Sequence, residues 1–406
     1  MSDSWLSVAD ALATMQGQIQ PVQETEEVHL QDALDRVLAE PVCANMDVPG
    51  YDNSAMDGYA LRAAEADSDK PLTVVGTALA GHPFNGELPA QSCVRIMTGA
   101  QMPVASDAVI MQEQVQREGD LIRCQAPVGT GDNVRLKGCD IRQNDMILQQ
   151  GQRLTPTHIG LLASLGMDQV RVLRRLRVAL FSNGDELVLP GEPLHSPSQI
   201  YDSNRFTLHA MLQRLNVDVL DLGLIADDRE ALENAFQQAM RSADIIISSA
   251  GVSVGEADYT KDIMASLGQI GFWKIAMKPG KPFAFGRLGQ AWFCGLPGNP
   301  VAALVTMDQI VQPMLRHLAG ESVTPPVQLQ ARATSPIKKR PGRMDFQRGR
   351  FSQRDGELWA EPVGSQSSAV LTSVAQANCF LVLEQERGPI AAGESITIQP
   401  FDCLLT

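Results

Sequence analysis

Two lysines three residues apart are the strongest chemical signal in the chain. Lys278 and Lys281 lie in the segment 278–282, where two prolines and a glycine restrict the backbone. The chain as a whole is acidic, with 47 Asp and Glu against 33 Lys and Arg and a formal net charge of -14. Two cations held at a fixed spacing in such a chain predict a site for a bound anion. A turn that carries two solubilising lysines is the alternative, because Pro-Gly pairs commonly form turns.

A run of small residues follows a predicted buried strand at 245–247. Small side chains let backbone amides approach an anion closely, and a helix expected at about 258–267 would point its N-terminus at the same place. The run has neither the Gly-Lys-Ser/Thr of a Walker loop nor the Gly-x-Gly-x-x-Gly dinucleotide fingerprint. It predicts a phosphate-binding loop, with a plain strand-to-helix turn as the alternative. The candidate binding residues are Ser248, Ser249, Gly251, Ser253 and Gly255.

Carboxylates stand at comparable junctions between predicted strands and helices. A crevice with several acids suits Mg²⁺, which takes one or two carboxylates together with ligand oxygens. A helix N-cap or a solvated loop residue is the alternative for each acid. The acids are Asp185, Glu186, Asp227, Asp228, Glu256 and Asp258. The six histidines lack zinc-ligand spacing, and no Gly-x-Ser-x-Gly elbow supports a serine hydrolase.

Composition argues against several classes of protein. The acidic balance and an aromatic share of 5% disfavour nucleic-acid binding, because phosphate backbones are repelled and stacking platforms are scarce. Seven cysteines without a Cys-x-x-Cys pair predict a reduced, cytoplasmic protein. Residues 1–20 contain two aspartates and no long apolar core, so we expect an amphipathic helix there and not a signal peptide. No run reaches the roughly 18 apolar residues of a membrane span.

The elements that must position these residues are clearest in the segment 177–326. Strand-like and helix-like patterns alternate there, which predicts a doubly wound α/β domain with a mostly parallel sheet. Such sheets bind ligands beyond the carboxyl ends of their strands, so we expect the serines and acids to meet there. The expected elements are strands at 178–181, 217–225 and 245–247, a helix with its N-cap within 202–204, a helix at about 229–241, and a helix that Asn299 can cap before Pro300.

The rest of the chain shows other patterns. Residues 46–140 have short alternating runs rich in Gly, Pro and Asp, which predict a β-rich inserted domain. Residues 327–406 show short strands and turns, which predict a C-terminal all-β domain. We expect helices at 4–15, 30–38 and 155–165 that pack together. The four expected units are therefore 1–45 with 141–176, 46–140, 177–326 and 327–406.

Motifs along nearly the whole chain occur in the order of a known family. They are the segments 53–60, 97–100 with Pro103 and Asp107, 184–187, 202–204, 251–255 with 258–261, 278–282 and 296–300. Together they resemble the MoeA family of molybdopterin molybdenumtransferases, which is similar to the E domain of gephyrin. The resemblance implies an elongated, multidomain α/β plus β protomer that works as a homodimer. It also implies a MogA-like α/β domain and a C-terminal domain that resembles a β-barrel.

The activity that the resemblance implies is insertion of molybdate into adenylylated molybdopterin, which releases AMP and forms molybdenum cofactor. The implied cleft lies between the α/β domain of one subunit and the inserted domain of the other, with Mg²⁺ as its metal. The implied catalytic residues are Asp57, Thr98, Asp140, Glu186, Asp227 and Asp258, of which the last three also bind the metal. The implied substrate-binding residues are Lys274, Lys278, Lys281, Pro282 and Arg343, beside the serines and glycines of the phosphate loop. Since positioning and charge neutralisation dominate such chemistry, no covalent nucleophile is expected.

Partners and departures also follow from the resemblance. It implies contacts with the molybdopterin adenylyltransferase and with molybdoenzyme apoproteins or their chaperones. Cys139, Ala250, Asn183 and Ala302 each replace a residue that is common in the family. A scaffold protein, or a specialised paralogue with weak or altered insertase activity, is therefore the alternative function. The adenylyltransferase of the same pathway is a further alternative, although its fold would account only for the α/β domain.

Overall fold

The computed structural model describes residues 5–66, 69–249, 263, 266–402 and 404–405. No helix within these residues is long and apolar enough to span a membrane. The helices are α1 (Val8–Gln18), α2 (Pro156–Ser164), α3 (Ser203–Arg214), α4 (Arg229–Ser242), α5 (Pro300–Thr306), α6 (Gln312–Leu318) and α7 (Thr372–Ala375). Shorter helical turns are the 3-10 turns Leu30–Asp32, Ala63–Glu65 and Gln112–Gln114 and the π-helical turn Met307–Val311.

The strands fall into three six-stranded sheets and several two-stranded pairs. In chain order they are β1 (Thr25–His29), β2 (Val42–Cys43), β3 (Asn53–Ser54), β4 (Gly58–Leu61), β5 (Leu72–Ala78), β6 (Ser92–Ile96), β7 (Ala108–Met111), β8 (Val115–Glu118), β9 (Leu121–Cys124), β10 (Val134–Arg135), β11 (Met146–Leu148), β12 (Gln169–Leu173), β13 (Arg177–Asn183), β14 (Leu187–Val188), β15 (Ile200–Tyr201), β16 (Asp218–Ile225), β17 (Ile245–Ser249), β18 (Gly268–Lys274), β19 (Met277–Lys278), β20 (Pro282–Leu288), β21 (Ala291–Leu296), β22 (Leu329–Ala333), β23 (Met344–Arg354), β24 (Glu357–Pro362), β25 (Cys379–Leu383) and β26 (Ser395–Pro400).

The expected doubly wound α/β sheet is confirmed. Its strand order is β16-β13-β17-β21-β20-β18. The first four strands are parallel to one another, and the pairs β21–β20 and β20–β18 are antiparallel. Every residue of β17 is buried, as expected for a strand covered on both faces. Helices α3, α5 and α6 pack on one face of the sheet. On the other face, Phe236 of α4 packs against Phe181 and Phe293.

The segment between α1 and α2 contains a sheet of its own. Its strand order is β7-β4-β6-β5-β9-β8, in which β5 and β6 are parallel and the other pairs antiparallel. Two apolar clusters cover its two faces, one around Tyr59 and Ile110 and the other around Val94 and Val109. The short pairs β2–β11 and β3–β10 and the longer pair β1–β12 bring the two ends of this segment together. The expected β-rich insertion is therefore built on a separate core.

The expected C-terminal barrel is also confirmed. Strands β23, β24, β22, β26 and β25 follow one another, and β25 pairs again with β23 to close a five-stranded barrel. Strand β19, which follows the α/β strand β18, pairs in parallel with β23. Phe346 and Phe380 of the barrel belong to the same apolar cluster as Ile275 and Met277. The barrel and the α/β sheet thus share a core.

One expected helix is wrong. Residues 30–38 form only the 3-10 turn Leu30–Asp32, after which Asp35 takes a left-handed φ of 60° that ends any helix. Val37 and Leu38 instead make strand-like bridges to Arg153 and Val172. The helices expected at 4–15, 155–165 and 229–241 are present as α1, α2 and α4, although α1 lies a few residues further along the chain.

Candidate active site

A cavity of about 660 Å³ lies at the carboxyl ends of the parallel strands. Glu186 follows β13, Ser249 ends β17, and Asn299 follows β21. Asn204 and Pro282 also line the cavity. This edge is where open α/β sheets bind ligands, because the loops after neighbouring parallel strands meet there. We call it the sheet-edge cavity. Its size suits an organic ligand of moderate size.

Asn204 joins three walls of the sheet-edge cavity. Its Nδ2 donates to Ser249 Oγ at 2.8 Å and to the carbonyl oxygen of Gly298 at 2.8 Å. The first turn of α3, the end of β17 and the loop after β21 are therefore fixed relative to one another. Asn204 is not among the site residues expected from sequence. Its place two residues after the Asp202 cap is the signal that points to it.

Asp202 is committed to holding the start of α3. Its Oδ1 accepts from the backbone amide of Arg205 at 3.2 Å and from Ser182 Oγ at 3.1 Å. Its Oδ2 accepts from Arg205 Nε at 3.0 Å. Arg205 Nη1 also donates to Asp221 Oδ2 at 2.5 Å. Asp202 is 1% exposed, so this buried network leaves it no room to serve as a ligand. It confirms the expected N-cap and adds an anchor to β13 and β16.

Glu186 is the acid from the expected metal set that lines the sheet-edge cavity. It follows Gly184, whose φ of 151° and lack of a side chain leave space for the carboxylate. A Cβ at position 184 would lie 2.6 Å from Glu186 Oε2. Within the described residues no group of three or more His, Cys, Asp and Glu side chains is placed to hold a metal. One free carboxylate on the wall still fits Mg²⁺ that arrives with a substrate phosphate.

The neighbouring acids Asp227 and Asp228 have different settings. Asp228 is the N-cap of α4, since its Oδ1 accepts from the backbone amide of Ala231 at 2.9 Å. Its role is therefore structural. Asp227 is exposed after β16 and is not among the residues that line the sheet-edge cavity.

The expected phosphate loop is described only at its start. Ser248 and Ser249 are buried at the end of β17, and Ser249 faces the sheet-edge cavity. The expected residues Gly251, Ser253, Gly255 and Asp258, together with Ala250 and Glu256, lie outside the described residues.

Asp57 and Thr98 form a pair in the inserted sheet. The backbone amide and the hydroxyl of Thr98 both donate to Asp57 Oδ1, each at 2.8 Å. These two hydrogen bonds hold the pKa of the exposed Asp57 carboxyl below its usual range. The bond from the backbone amide has the larger effect, and the charge of Arg95 makes a smaller contribution. Asp57 is therefore a carboxylate fixed in orientation and ionised at neutral pH.

The expected residues of the inserted domain do not line the sheet-edge cavity of the same chain. Among the residues described for that cavity, none comes from the segment 46–140. Asp140 is exposed, and its backbone amide donates to the carbonyl oxygen of Val48 at 3.1 Å. Cys139 beside it is also exposed. Among the expected catalytic residues that the structure describes, Glu186 lines the sheet-edge cavity, whereas Asp57, Thr98 and Asp140 do not.

The two lysines of the segment 278–282 face different surroundings. Lys278 lies on β19, and its Nζ is 3.5 Å from Asp345 Oδ2 of the barrel strand β23. Lys281 lies over the indole ring of Trp5, with its Nζ 4.9 Å from the ring centroid. The guanidinium of Arg343 approaches the same ring at 5.9 Å. Lys274 is exposed at the end of β18. The cations therefore gather around the junction of the α/β sheet and the barrel.

Three family models match successive parts of the chain. They are the MoeA N-terminal region (domain I and II) over residues 6–166, the probable molybdopterin binding domain over 179–317 and the MoeA C-terminal region (domain IV) over 330–401. The sheet-edge cavity is lined mainly by residues of the second match, and the barrel lies within the third.

Relatives match over nearly the full length. The molybdopterin molybdenumtransferase of Haemophilus influenzae is 48% identical over 404 residues, which cover 98% of this chain and 100% of the relative. The protein of the same name from a Nostoc species is 37% identical over 387 residues, covering 93% and 88%. A crystal structure of the molybdopterin biosynthesis moeA protein from Pyrococcus horikoshii has a TM-score of 0.84 at 26% identity, covering 98% of this chain and 100% of that one. The similarity thus includes the inserted sheet and the barrel.

Proposed function

The chain belongs to the MoeA family of molybdopterin molybdenumtransferases, enzymes of molybdenum cofactor biosynthesis, and from this premise we propose that it inserts molybdate into adenylylated molybdopterin and releases AMP. The observation that carries the proposal is the sheet-edge cavity, which lies mainly within the segment similar to a molybdopterin binding domain. Molybdate is a substrate here and not a resident metal.

The polar groups of the cavity suit the organic substrate. Ser248 and Ser249 end β17 beside the cavity, and the Asn204 bridge keeps Ser249 in place. In our proposal the expected phosphate loop, including Gly251, Ser253 and Gly255, binds a substrate phosphate. Glu186, with Asp227 and Asp258, holds Mg²⁺, which neutralises phosphate charge when bound.

The basic residues suit the oxyanions of the reaction. Lys274, Lys278, Lys281 and Arg343 bring positive charge beside Pro282, which lines the sheet-edge cavity. Cations in this position would bind molybdate and neutralise charge on the adenylate phosphate. The protein's part in the reaction is then to orient the two substrates and neutralise their charge, without a covalent intermediate on a side chain.

The position of Asp57, Thr98 and Asp140 leads us to propose a homodimer. Asp57 and Thr98 flank strands β4 and β6 of the inserted sheet, Asp140 lies between β10 and β11, and none of the three is among the residues described as lining the sheet-edge cavity of their own chain. A second copy would bring them to that cavity. Large apolar side chains are exposed on both surfaces, among them Met56 and Leu136 on one and Ile200 and Tyr201 on the other. Exposed apolar surface of this kind is typical of a contact between proteins.

The cellular setting is part of the same proposal. We expect the enzyme to work in the cytoplasm, to receive its substrate from a molybdopterin adenylyltransferase, and to pass its product to molybdoenzyme apoproteins or their chaperones.

Mixed dimers test both the activity and the shared site. Asp57→Asn and Glu186→Ala are each expected to abolish molybdenum cofactor formation from adenylylated molybdopterin, molybdate and Mg²⁺. A heterodimer of the two variants, isolated through two affinity tags, has one cleft with both defects and one intact cleft. It is therefore expected to recover about half of the wild-type rate per dimer. Asp120→Ala, which removes an exposed acid elsewhere in the inserted domain, is the matched control and should remain active.

The possible results separate the two parts of the proposal. An inactive heterodimer beside an active wild type would contradict a cleft shared between subunits. Wild-type protein that forms no cofactor and releases no AMP would contradict the activity itself.

A further inference from the structure

Two serines lie at the same level of the α/β sheet, near the ends of neighbouring strands. Strands β13 and β17 are parallel, and Ser182 pairs with Ser249 in their register. Both residues are buried, at 0% and 2% exposure. Both hydroxyls form a hydrogen bond with a side chain at the start of α3, Ser182 with Asp202 and Ser249 with Asn204. The two bonds differ in direction, and so the two serines differ in what they can offer a ligand.

The hydroxyl of Ser182 uses its hydrogen inside the protein. Its Oγ donates to Asp202 Oδ1 at 3.1 Å, and a carboxylate can only accept. A serine hydroxyl has a single hydrogen to donate. Ser182 therefore has no donor left for a ligand.

The hydroxyl of Ser249 accepts a hydrogen bond instead. Asn204 Nδ2 lies 2.8 Å from Ser249 Oγ and 2.8 Å from the carbonyl oxygen of Gly298. Because a carbonyl oxygen can only accept, the NH2 end of the amide must face Gly298, and its second hydrogen goes to Ser249 Oγ. An amide nitrogen does not accept hydrogen bonds, so the hydrogen of the Ser249 hydroxyl must point away from Asn204.

The hydrogen of the Ser249 hydroxyl is available to the sheet-edge cavity. In the part of the chain that the structure describes, no acceptor takes this hydrogen. Ser249 is one of the residues that line the cavity. A buried donor without an acceptor costs free energy, so an oxygen atom of a ligand in the cavity is favoured.

Both backbones that carry this hydrogen bond are fixed. Asn204 is the second residue of α3, and the start of that helix is held by the bonds of Arg205 to the buried Asp202. Ser249 is held by the pairing of β17 with strands on both sides, β13 and β21. The direction of the hydroxyl is therefore set before a ligand binds, and a donor that is oriented in advance loses little entropy on binding.

We propose that Asn204 is a positioning residue, which keeps the Ser249 hydroxyl in the orientation that donates to a phosphate oxygen of adenylylated molybdopterin. Only the identity of the ligand rests on the proposed function. A phosphate oxygen fits this donor because hydrogen bonds to a charged acceptor are stronger than those to a neutral one. Asn204 acts through Ser249 and not by a contact of its own with the substrate.

A double-mutant cycle on substrate binding tests this role. Asn204→Asp keeps the shape of the side chain but replaces its NH2 group by an oxygen, so Ser249 should now donate to residue 204, as Ser182 donates to Asp202. The Kd of adenylylated molybdopterin is measured without molybdate for wild type, Asn204→Asp, Ser249→Ala and the double variant. The rise in Kd caused by Asn204→Asp is expected to be roughly tenfold larger when Ser249 is present than in the Ser249→Ala background, since a hydrogen bond to a charged group is then lost.

The cycle separates positioning from a structural role. If Asn204 only supported the loop at Gly298, or if the new charge alone weakened binding, the rise in Kd would be the same in both backgrounds. Gln213→Glu makes the same change from amide to acid at an exposed residue in the last turn of α3, and an unchanged Kd is expected of this matched control. If Asn204→Asp does not fold, Asn204→Ala takes its place, with an expected excess of severalfold because the hydroxyl is then able to turn.

Steady-state kinetics give a second readout. The KM for adenylylated molybdopterin should rise with the Kd in Asn204→Asp, while kcat and the KM for molybdate stay within about twofold, because the lost contact is already present in the bound substrate. A fall in kcat at unchanged KM and Kd, or an equal rise of Kd in both backgrounds, would overturn the role of Asn204. Wild type that binds the substrate but forms no cofactor would contradict the proposed function and leave the binding cycle readable. Wild type that does not bind adenylylated molybdopterin would overturn both.

Discussion

Glu186 can lie over the sheet-edge cavity because residue 184 has no side chain. Gly184 has a φ of 151°, and a Cβ there would lie 2.6 Å from Glu186 Oε2. A contact that short requires either the carboxylate or the backbone to move. Gly184 therefore allows both the turn after β13 and the observed position of the Glu186 carboxylate.

Gly184→Ala is expected to lower the rate of cofactor formation by roughly a hundredfold, because the displaced Glu186 no longer meets the substrate in the right place. Backbone strain should also cost about 1–3 kcal/mol of stability. Gly191→Ala is the matched control, since that glycine has a φ of 97° with nothing near its missing Cβ. It should lose comparable stability and keep its rate. Equal rate loss in both variants would assign the effect to strain alone.

Single residues also show which contacts could be predicted from the sequence. An N-cap within 202–204 was predictable from the polar residues before a helical repeat, because capping is a local interaction, and the structure assigns it to Asp202. The partner of Asp57 is Thr98, which lies 41 residues away. No local rule contains that distance, so only the family resemblance named both residues. The place of Asn204 after the Asp202 cap pointed to the residue, but its two partners lie in β17 and in the loop after β21, and no local rule names them.

At the scale of elements, the start of helix α4 gives different roles to the adjacent acids Asp227 and Asp228. Asp228 Oδ1 accepts from the backbone amide of Ala231 as the N-cap of α4, whereas Asp227 is exposed one residue earlier. The cap satisfies an amide that the helix cannot pair internally. Asp228 therefore has a role in folding, whereas we place Asp227 in the proposed metal site.

Asp228→Ala is expected to destabilise the protein by about 1 kcal/mol and leave the rate of the folded enzyme unchanged, because it removes the cap alone. Asp228→Asn, which keeps an acceptor oxygen, should restore most of the stability. Asp227→Ala is expected to show a much reduced response of the rate to Mg²⁺. Melting curves and magnesium titrations of the rate measure the two effects. A rate loss in Asp228→Ala at full folding would contradict this division.

Elements with strong periodicity were predictable, and those set by distant pairing were not. Helices α3 and α4 and strand β17 follow from apolar spacing and caps. The segment 30–38 has helical spacing too, but Val37 and Leu38 are used in bridges to residues more than a hundred positions away. A single site for Lys278 and Lys281 stays a prediction, but their surroundings could not be foreseen, since β19 brings the first to the barrel and the second lies over Trp5. The boundaries of the four units stay a prediction.

At the scale of the whole molecule, three parts of the fold meet around a buried acid. Asp308 lies in the π-helical turn between α5 and α6 and is 5% exposed. It lines a cavity of about 280 Å³ together with residues of α1 and of the barrel strand β23. Burial, and then the charge of Asp402, raise the pKa of the Asp308 carboxyl to about 7. Gln309 Nε2, at 2.6 Å from Asp308 Oδ2, and Arg316 only partly oppose the shift.

This acid should make the stability of the junction depend on pH. In the unfolded chain the carboxyl loses its proton near pH 4, whereas the folded chain keeps it to about pH 7. Between these values the folded state binds more protons, so this contribution to stability falls as the pH rises and is fully lost above about pH 7. Asp308→Asn is therefore expected to melt at nearly the wild-type temperature at about pH 4 and at a higher temperature at pH 8. Asp355→Asn, an exposed acid in the turn after β23, is the control and should show no such difference. If the melting temperature of Asp308→Asn at pH 8 equals that of wild type, the prediction is wrong. The buried charge then does not destabilise the contacts between α1, the α/β helices and the barrel.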